Sequence, residues 1–156
     1  MKSASVADIR KHLKTLDRDE LSELCFKLIR YKKENKELLS YVLFDSENER
    51  EFIRDFKGEM DQLFTEVNTS HVYLAKKTIR KILRLINKFI RFSGSKIMEV
   101  ELLIHFCDHL KNSPLPVANN PTLNNIYTRQ REKIRKTLAT LHEDIQFDYA
   151  EKVAAL

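Results

Sequence analysis

The chain has 156 residues, of which 28 are Lys or Arg and 23 are Asp or Glu, so its formal net charge is +5. Two glycines and three prolines are too few for a protein of strands joined by tight turns, because such turns need residues that accept positive φ. With 42% apolar and 33% charged residues, the composition excludes a disordered chain. We therefore expect an all-α fold in a single domain over residues 1–156.

Helix starts are marked by an acceptor residue with an acid three positions later. Three pairs fit this pattern, namely Ser5 with Asp8, Asp17 with Glu20, and Ser46 with Glu49. Together with the apolar periodicity, they predict helices over 5–14, 18–33, 35–44, 47–67, 70–92, 96–112, 122–142 and 143–154.

These seven to eight helices are expected to pair as antiparallel hairpins. The hairpins are too uneven to form a repeat family, so a short right-handed superhelix and an irregular bundle both fit. The 70–92 helix is apolar over about half of its circumference, which indicates several neighbours. This favours the stacked arrangement, with the 70–92 helix as its spine.

The 70–92 helix also carries a row of cations. No acid occurs between Val67 and Met98, and at 100° per residue five cations fall within a stripe about 80° wide. We call this row the basic face, and it consists of Lys77, Lys81, Arg84, Lys88 and Arg91. It extends over about 21 Å of helix.

Two interpretations of the basic face are open. The preceding helix is acidic, and its edge, formed by Glu51, Asp55, Glu59 and Glu66, can neutralise the cations within the chain. Alternatively, the face binds an anionic partner: a nucleic acid, an acidic protein or a lipid head group. Five phosphate contacts would give a log–log salt slope of about −4.5.

Two more basic clusters occur, Lys27, Arg30, Lys32, Lys33 and Lys36, and Arg129, Arg131, Lys133, Arg135 and Lys136. Nucleic-acid modules usually interleave aromatic residues with such cations. The aromatic residues near the basic face, Phe89 and Phe92, belong to the apolar side of the helix, and no helix-turn-helix, zinc-finger or RNA-recognition signature is present.

The histidines offer a weak metal motif. His105 and His109 are spaced i, i+4, as in helical metal sites, with Glu101 one turn before them. Two ligands from one helix leave half of a tetrahedral site unexplained, so we expect helix-surface or half-buried histidines, with no metal site and no cofactor. The run from His142 to Asp144 is expected to cap the next helix.

No catalytic constellation is evident, since the chain has no nucleophile elbow and no glycine-rich loop. Cys25 and Cys107 have apolar neighbours, which predicts buried, reduced thiols in a cytoplasmic protein. No apolar run is long enough to span a membrane. We therefore expect no enzyme activity and no small-molecule substrate.

Several segments resemble a family of short, all-helical bacterial proteins that is classed as a domain of unknown function. These segments are Val6–Lys11, Tyr31–Leu39, Tyr73–Lys96, Glu99–Leu103 and Leu141–Asp144. The resemblance implies an all-helical, bacterial, cytoplasmic protein and supplies no activity.

The sequence thus predicts a non-enzymatic helical interaction module that presents its basic face to a macromolecular partner, either another protein or a second copy of itself. The alternative is sequence-independent RNA or DNA binding through the basic stripe of residues 76–96.

Overall fold

The computed structural model describes residues 2–156, and over this range it confirms the all-α fold, with no strand. The helices are α1 (Val6–Leu13), α2 (Arg18–Tyr31), α3 (Lys33–Ser40), α4 (Glu49–Thr65), α5 (Val72–Ser93), α6 (Lys96–Asn112), α7 (Pro121–Leu138) and α8 (Glu143–Ala154). A π-helical turn, Tyr41–Asp45, and a 3-10 turn, Ser46–Asn48, lie between α3 and α4. None of the helices in the described range combines the length and apolar character needed to cross a bilayer.

The predicted start signals are confirmed for α1 and α2. Ser5 accepts the backbone N–H of Asp8, and Asp17 and Glu20 form a reciprocal capping box. The prediction for Ser46 is wrong, since this residue opens the 3-10 turn and Asn48 caps α4. The side chain of Asn48 takes the capping position because it accepts directly from the N–H of Glu51.

The end of α7 also differs from the prediction. The helix ends at Leu138 rather than at residue 142. The N–H groups of Thr140 and Leu141 bond to carbonyls three residues earlier, which tightens the last turn. His142 then accepts the N–H of Asp144 as the N-cap of α8, so the capping role expected at this junction is confirmed.

Backbone contacts divide the chain into two compact units, one ending at Phe44 and one beginning at Asp45. In the first unit, helices α1, α2 and α3 contain no buried residue. The Asn35 side-chain amide donates to the Leu28 carbonyl at 2.8 Å and ties α3 to α2. That residues 1–156 form a single domain stays a prediction.

The second unit is built around α6 rather than around the predicted 70–92 helix. Helices α4, α5 and α7 all pack against α6. Its buried residues cover about 200° of the helix circumference and comprise Met98, Val100, Leu102, Leu103, Phe106, Cys107 and Leu110. By contrast, α5 buries one narrow stripe, Ala75, Ile79, Ile82, Ile86 and Ile90. A helix that packs against three neighbours needs a broad apolar surface, whereas α5 needs only a narrow apolar side.

Polar contacts show that α4 and α6 run parallel. Ser95 donates to Glu49 at 2.9 Å, Lys57 pairs with Glu101, and Asp61 contacts His105 at 2.6 Å. The residue numbers of both helices rise together along this sequence of contacts. Helix α5 provides the return connection between them.

Candidate functional site: the basic face of α5

Helix α5 is continuous from Val72 to Ser93, as the sequence predicts. It ends at Gly94, which adopts the left-handed conformation with φ 65° and donates its N–H to the Ile90 carbonyl. Glycine suits this position because it has no Cβ to clash. The five cations of the basic face therefore lie on one uninterrupted helix.

Four residues of the basic face are exposed, namely Lys77, Lys81, Arg84 and Arg91. Lys88 is half-buried, and its ammonium lies 5.2 Å from the centroid of the Phe89 ring. At this distance the ring face and the cation attract one another. The face is thus brought together as predicted, but Lys88 is partly engaged in packing.

Neutralisation by the acidic edge of α4, one of the two interpretations left open by the sequence, is not observed for three of the five cations of the basic face. No carboxylate of residues 2–156 lies within 4.0 Å of the charged nitrogens of Lys77, Lys81 or Arg84. On α4, Arg54 pairs with Glu51 at 3.1 Å and with Asp55 at 2.8 Å. Two of the four acids expected to face α5 are therefore satisfied within their own helix.

Tyr73 is a member of this surface that the sequence analysis missed. Its side chain is 80% exposed, and it precedes Lys77 by one helical turn, within the angular width of the basic face. The sequence spacing already indicates that Tyr73 belongs to this surface, because positions 73, 77 and 84 lie on the same side of a helix. An exposed aromatic ring beside cations is a contact element for proteins and for bases alike.

The basic cluster on α7 is partly structural. Lys133 donates to Asn87 at 3.3 Å and pairs with Glu99 at 3.3 Å. The guanidinium of Arg131 lies 5.5 Å from the Tyr127 ring centroid. Only Arg129, Arg135 and Lys136 of this cluster are exposed.

The histidines meet an acid that the sequence did not place beside them. Nε2 of His105 and Nε2 of His109 lie 2.6 and 2.8 Å from the same oxygen, Oδ1 of Asp61 on α4. Glu101, the expected neighbour, instead accepts from Lys57 and from Tyr149 of α8. No local sequence signal pairs Asp61 with α6, since the contact spans 44 residues.

Burial and hydrogen bonding act in opposite directions on the pKa values of these two carboxylates. Burial acts to raise the pKa of Asp61, but hydrogen bonds from His105 and His109 leave it below its usual value. Burial likewise acts to raise the pKa of Glu101, and the bonds from Lys57 and Tyr149 lower it overall. Both side chains are therefore carboxylates at neutral pH.

The two cysteines are free but differ in burial. Cys107 is buried, as predicted, whereas Cys25 is exposed, so the prediction for Cys25 is wrong. Apolar residues near Cys25 in the sequence do not cover it, because side chains such as Phe26 and Leu28 are themselves exposed. Burial raises the pKa of the Cys107 thiol to about 12.

Comparisons of the chain with protein-family models, curated proteins and solved structures give no significant match.

Proposed function

We propose that the protein is a non-enzymatic helical interaction module of the cytoplasm that uses the basic face of α5 to bind an acidic surface of a partner protein. The observation that carries this proposal is that Lys77, Lys81 and Arg84 lie at the surface without an ion-pair partner among residues 2–156. If these cations served only to join two helices of the fold, carboxylates of the neighbouring helix would neutralise them.

The geometry suits a rigid protein contact. The three cations occupy about 10 Å of helix, and α5 is anchored on α6 through its buried stripe. Because the backbone of α5 is already ordered, binding costs conformational entropy only in the side chains. Complementary charge would set orientation and association rate, while Tyr73 and Arg84 are of the residue types that dominate interface energies.

Tyr73 also favours a second candidate, the binding of single-stranded nucleic acid. Base stacking on an exposed aromatic ring contributes about 1–3 kcal/mol per base. If Lys77, Lys81 and Arg84 each reached a phosphate, the log–log salt slope would be about −2 for a single strand. Such binding would be independent of sequence.

Fluorescence anisotropy with three labelled probes separates these functions: an acidic peptide, a single-stranded RNA and a duplex DNA, each at about 50 and 200 mM salt. The variant is Lys81→Glu with Arg84→Glu. Its matched control is Arg129→Glu with Lys136→Glu, which reverses the same number of charges at the surface of α7.

Binding of the acidic peptide that weakens in the α5 variant, but not in the α7 control, supports the protein partner. RNA binding that weakens in the α5 variant and in Tyr73→Ala supports the second candidate instead. Equal losses in both charge variants, or no binding of any probe at low salt, would reject the basic face as the binding surface. Sedimentation of the same variants tests whether the partner is a second copy of the chain.

A further inference from the structure

Three potential metal ligands converge between α4 and α6, at Asp61, His105 and His109. One oxygen of Asp61 lies 2.6 Å from His105 Nε2 and 2.8 Å from His109 Nε2. All three donor atoms lie within 4.8 Å of one another. Helices α4 and α6, which are distant in sequence, therefore place three potential metal-donor atoms close together.

The donor set has the chemistry of a transition-metal site. Two imidazole nitrogens and one carboxylate oxygen are ligands that Zn²⁺ takes in proteins. With metal–ligand distances near 2.0–2.1 Å, tetrahedral donors stand about 3.3 Å apart. Shifts of about 1 Å at the ends of these side chains would bring the three atoms to that separation.

Neighbouring rings hold the histidines in position. The His109 ring stacks on Phe64 with centroids 4.7 Å apart and planes inclined by 12°. The His105 ring meets His109 edge-on at 4.8 Å. Ligands whose orientation is fixed by packing lose little freedom when a metal binds.

The cluster is also accessible to ions from solvent. The side chains of His105, His109 and Asp61 are 24%, 33% and 53% exposed. A cleft of about 260 Å³ begins at Asp61 and His109 and is otherwise lined by Phe64, Val67 and Leu115 among others. This cleft leaves room for a fourth ligand.

We propose that Asp61, His105 and His109 form a Zn²⁺-class metal site, with water as the fourth ligand, that clamps α4 to α6. In the metal-free state both Nε2 atoms carry the protons that they donate to Asp61, because a carboxylate only accepts. On binding, each Nε2 gives its lone pair to the metal. The proton that it carried moves to Nδ1 of a neutral imidazole by exchange with solvent, or is released to solvent by an imidazolium. The site is separate from the basic face.

The test is a titration of the full-length chain with Zn²⁺ and, as a spectroscopic probe, Co²⁺. We expect saturable binding of one ion per chain, with the strong visible absorption of tetrahedral Co²⁺. The variants Asp61→Asn and His109→Gln should weaken binding at least tenfold. Zn²⁺ should raise the unfolding temperature of the unmodified chain but not of these variants, because metal that binds only the folded state stabilises it.

The matched control is His71→Gln, which removes an exposed histidine that makes no side-chain cap bond at the start of α5. It should bind Zn²⁺ like the unmodified chain. Ca²⁺, which prefers all-oxygen sites, should neither bind nor shift the unfolding temperature. Asp61→Asn keeps the size of the side chain, so circular dichroism should show an unchanged fold.

The proposal is overturned if the unmodified chain shows no saturable binding of Zn²⁺. It is equally overturned if Asp61→Asn and His109→Gln bind Zn²⁺ as tightly as the unmodified chain, or if His71→Gln weakens binding as much as they do. None of these outcomes affects the proposal for the basic face, because the residues and the probes are different.

Discussion

Glu101 is the residue at which three helices of the second unit meet. It projects from α6 and accepts hydrogen bonds from Lys57 of α4 and Tyr149 of α8. Only 19% of its side chain is exposed. Burial and the bond to Glu101 also raise the pKa of Tyr149. Removing the charge of this partly buried carboxylate is destabilising, because the Lys57 ammonium loses its counter-charge and the Tyr149 hydroxyl its charged acceptor.

We expect Glu101→Gln to lower the free energy of unfolding at pH 7 by about 1–2 kcal/mol. The pKa of Glu101 in the folded protein is below its usual value of 4.5. The stabilisation by the carboxylate is therefore complete above pH 4.5 and is lost as the pH falls through the lower, folded pKa. Urea unfolding of both chains from pH 7 downwards should show their stabilities converging in acid.

The matched control for this prediction is Glu59→Gln, on the exposed side of α4. We expect its free energy of unfolding to stay within about 0.5 kcal/mol of the unmodified chain at every pH. If the free energy of unfolding of Glu101→Gln were lower than that of the unmodified chain by the same amount at every pH, the destabilisation would be steric rather than electrostatic.

The two thiols should differ sharply in reactivity. Cys25 is exposed, whereas Cys107 is buried with a pKa of about 12, so its thiolate fraction at pH 8 is about 10⁻⁴. In the folded protein we expect a thiol reagent to label one cysteine rapidly, and in urea both. Cys25→Ser should abolish the rapid phase. Two rapid thiols in the folded chain would contradict the burial of Cys107.

At the scale of the helices, the two glycines have opposite roles. Gly94 ends α5 with φ 65°, whereas Gly58 lies in the middle of α4, and an added methyl group at either position would have open space around it. An alanine at residue 94 must adopt a left-handed conformation, whereas at residue 58 it only removes backbone freedom from the unfolded chain.

We therefore expect Gly94→Ala to lower the free energy of unfolding by about 1 kcal/mol and Gly58→Ala to raise it by about 0.5–1 kcal/mol. Chemical denaturation of both variants beside the unmodified chain measures the two effects. Each substitution adds the same methyl group. If both changed the free energy of unfolding in the same direction, the conformational explanation would be contradicted.

The elements differ in how much of them the sequence could predict. Helix α5 was predictable because its periodicity and its glycine stop are local signals. The central position of α6 was not predictable, since a broad apolar surface does not specify which helices cover it. The contact of Asp61 with the two histidines depends on the parallel packing of α4 and α6, which no spacing along the chain encodes.

At the scale of the whole molecule, burial is unevenly distributed between the two units. Among residues 2–156, every buried apolar residue except Tyr41 lies in the second unit. Large apolar side chains of the first unit are exposed, including Val6, Phe26 and Tyr31. Stability that derives from apolar burial should therefore reside in the second unit.

A fragment of residues 45–156 should consequently fold on its own, whereas a fragment of residues 1–44 should not. We expect the longer fragment to unfold in one cooperative transition with an enthalpy of about 80 kcal/mol, as is typical of domains of this length. The shorter fragment should show weak helicity and no sigmoidal transition, because α1 and α3 have only 8 residues each and isolated short helices are marginal in water.

Calorimetry and circular dichroism of the two fragments measure both outcomes. A cooperative transition in residues 1–44, or its absence in residues 45–156, would mean that the buried side chains of the second unit do not determine where the chain is stable.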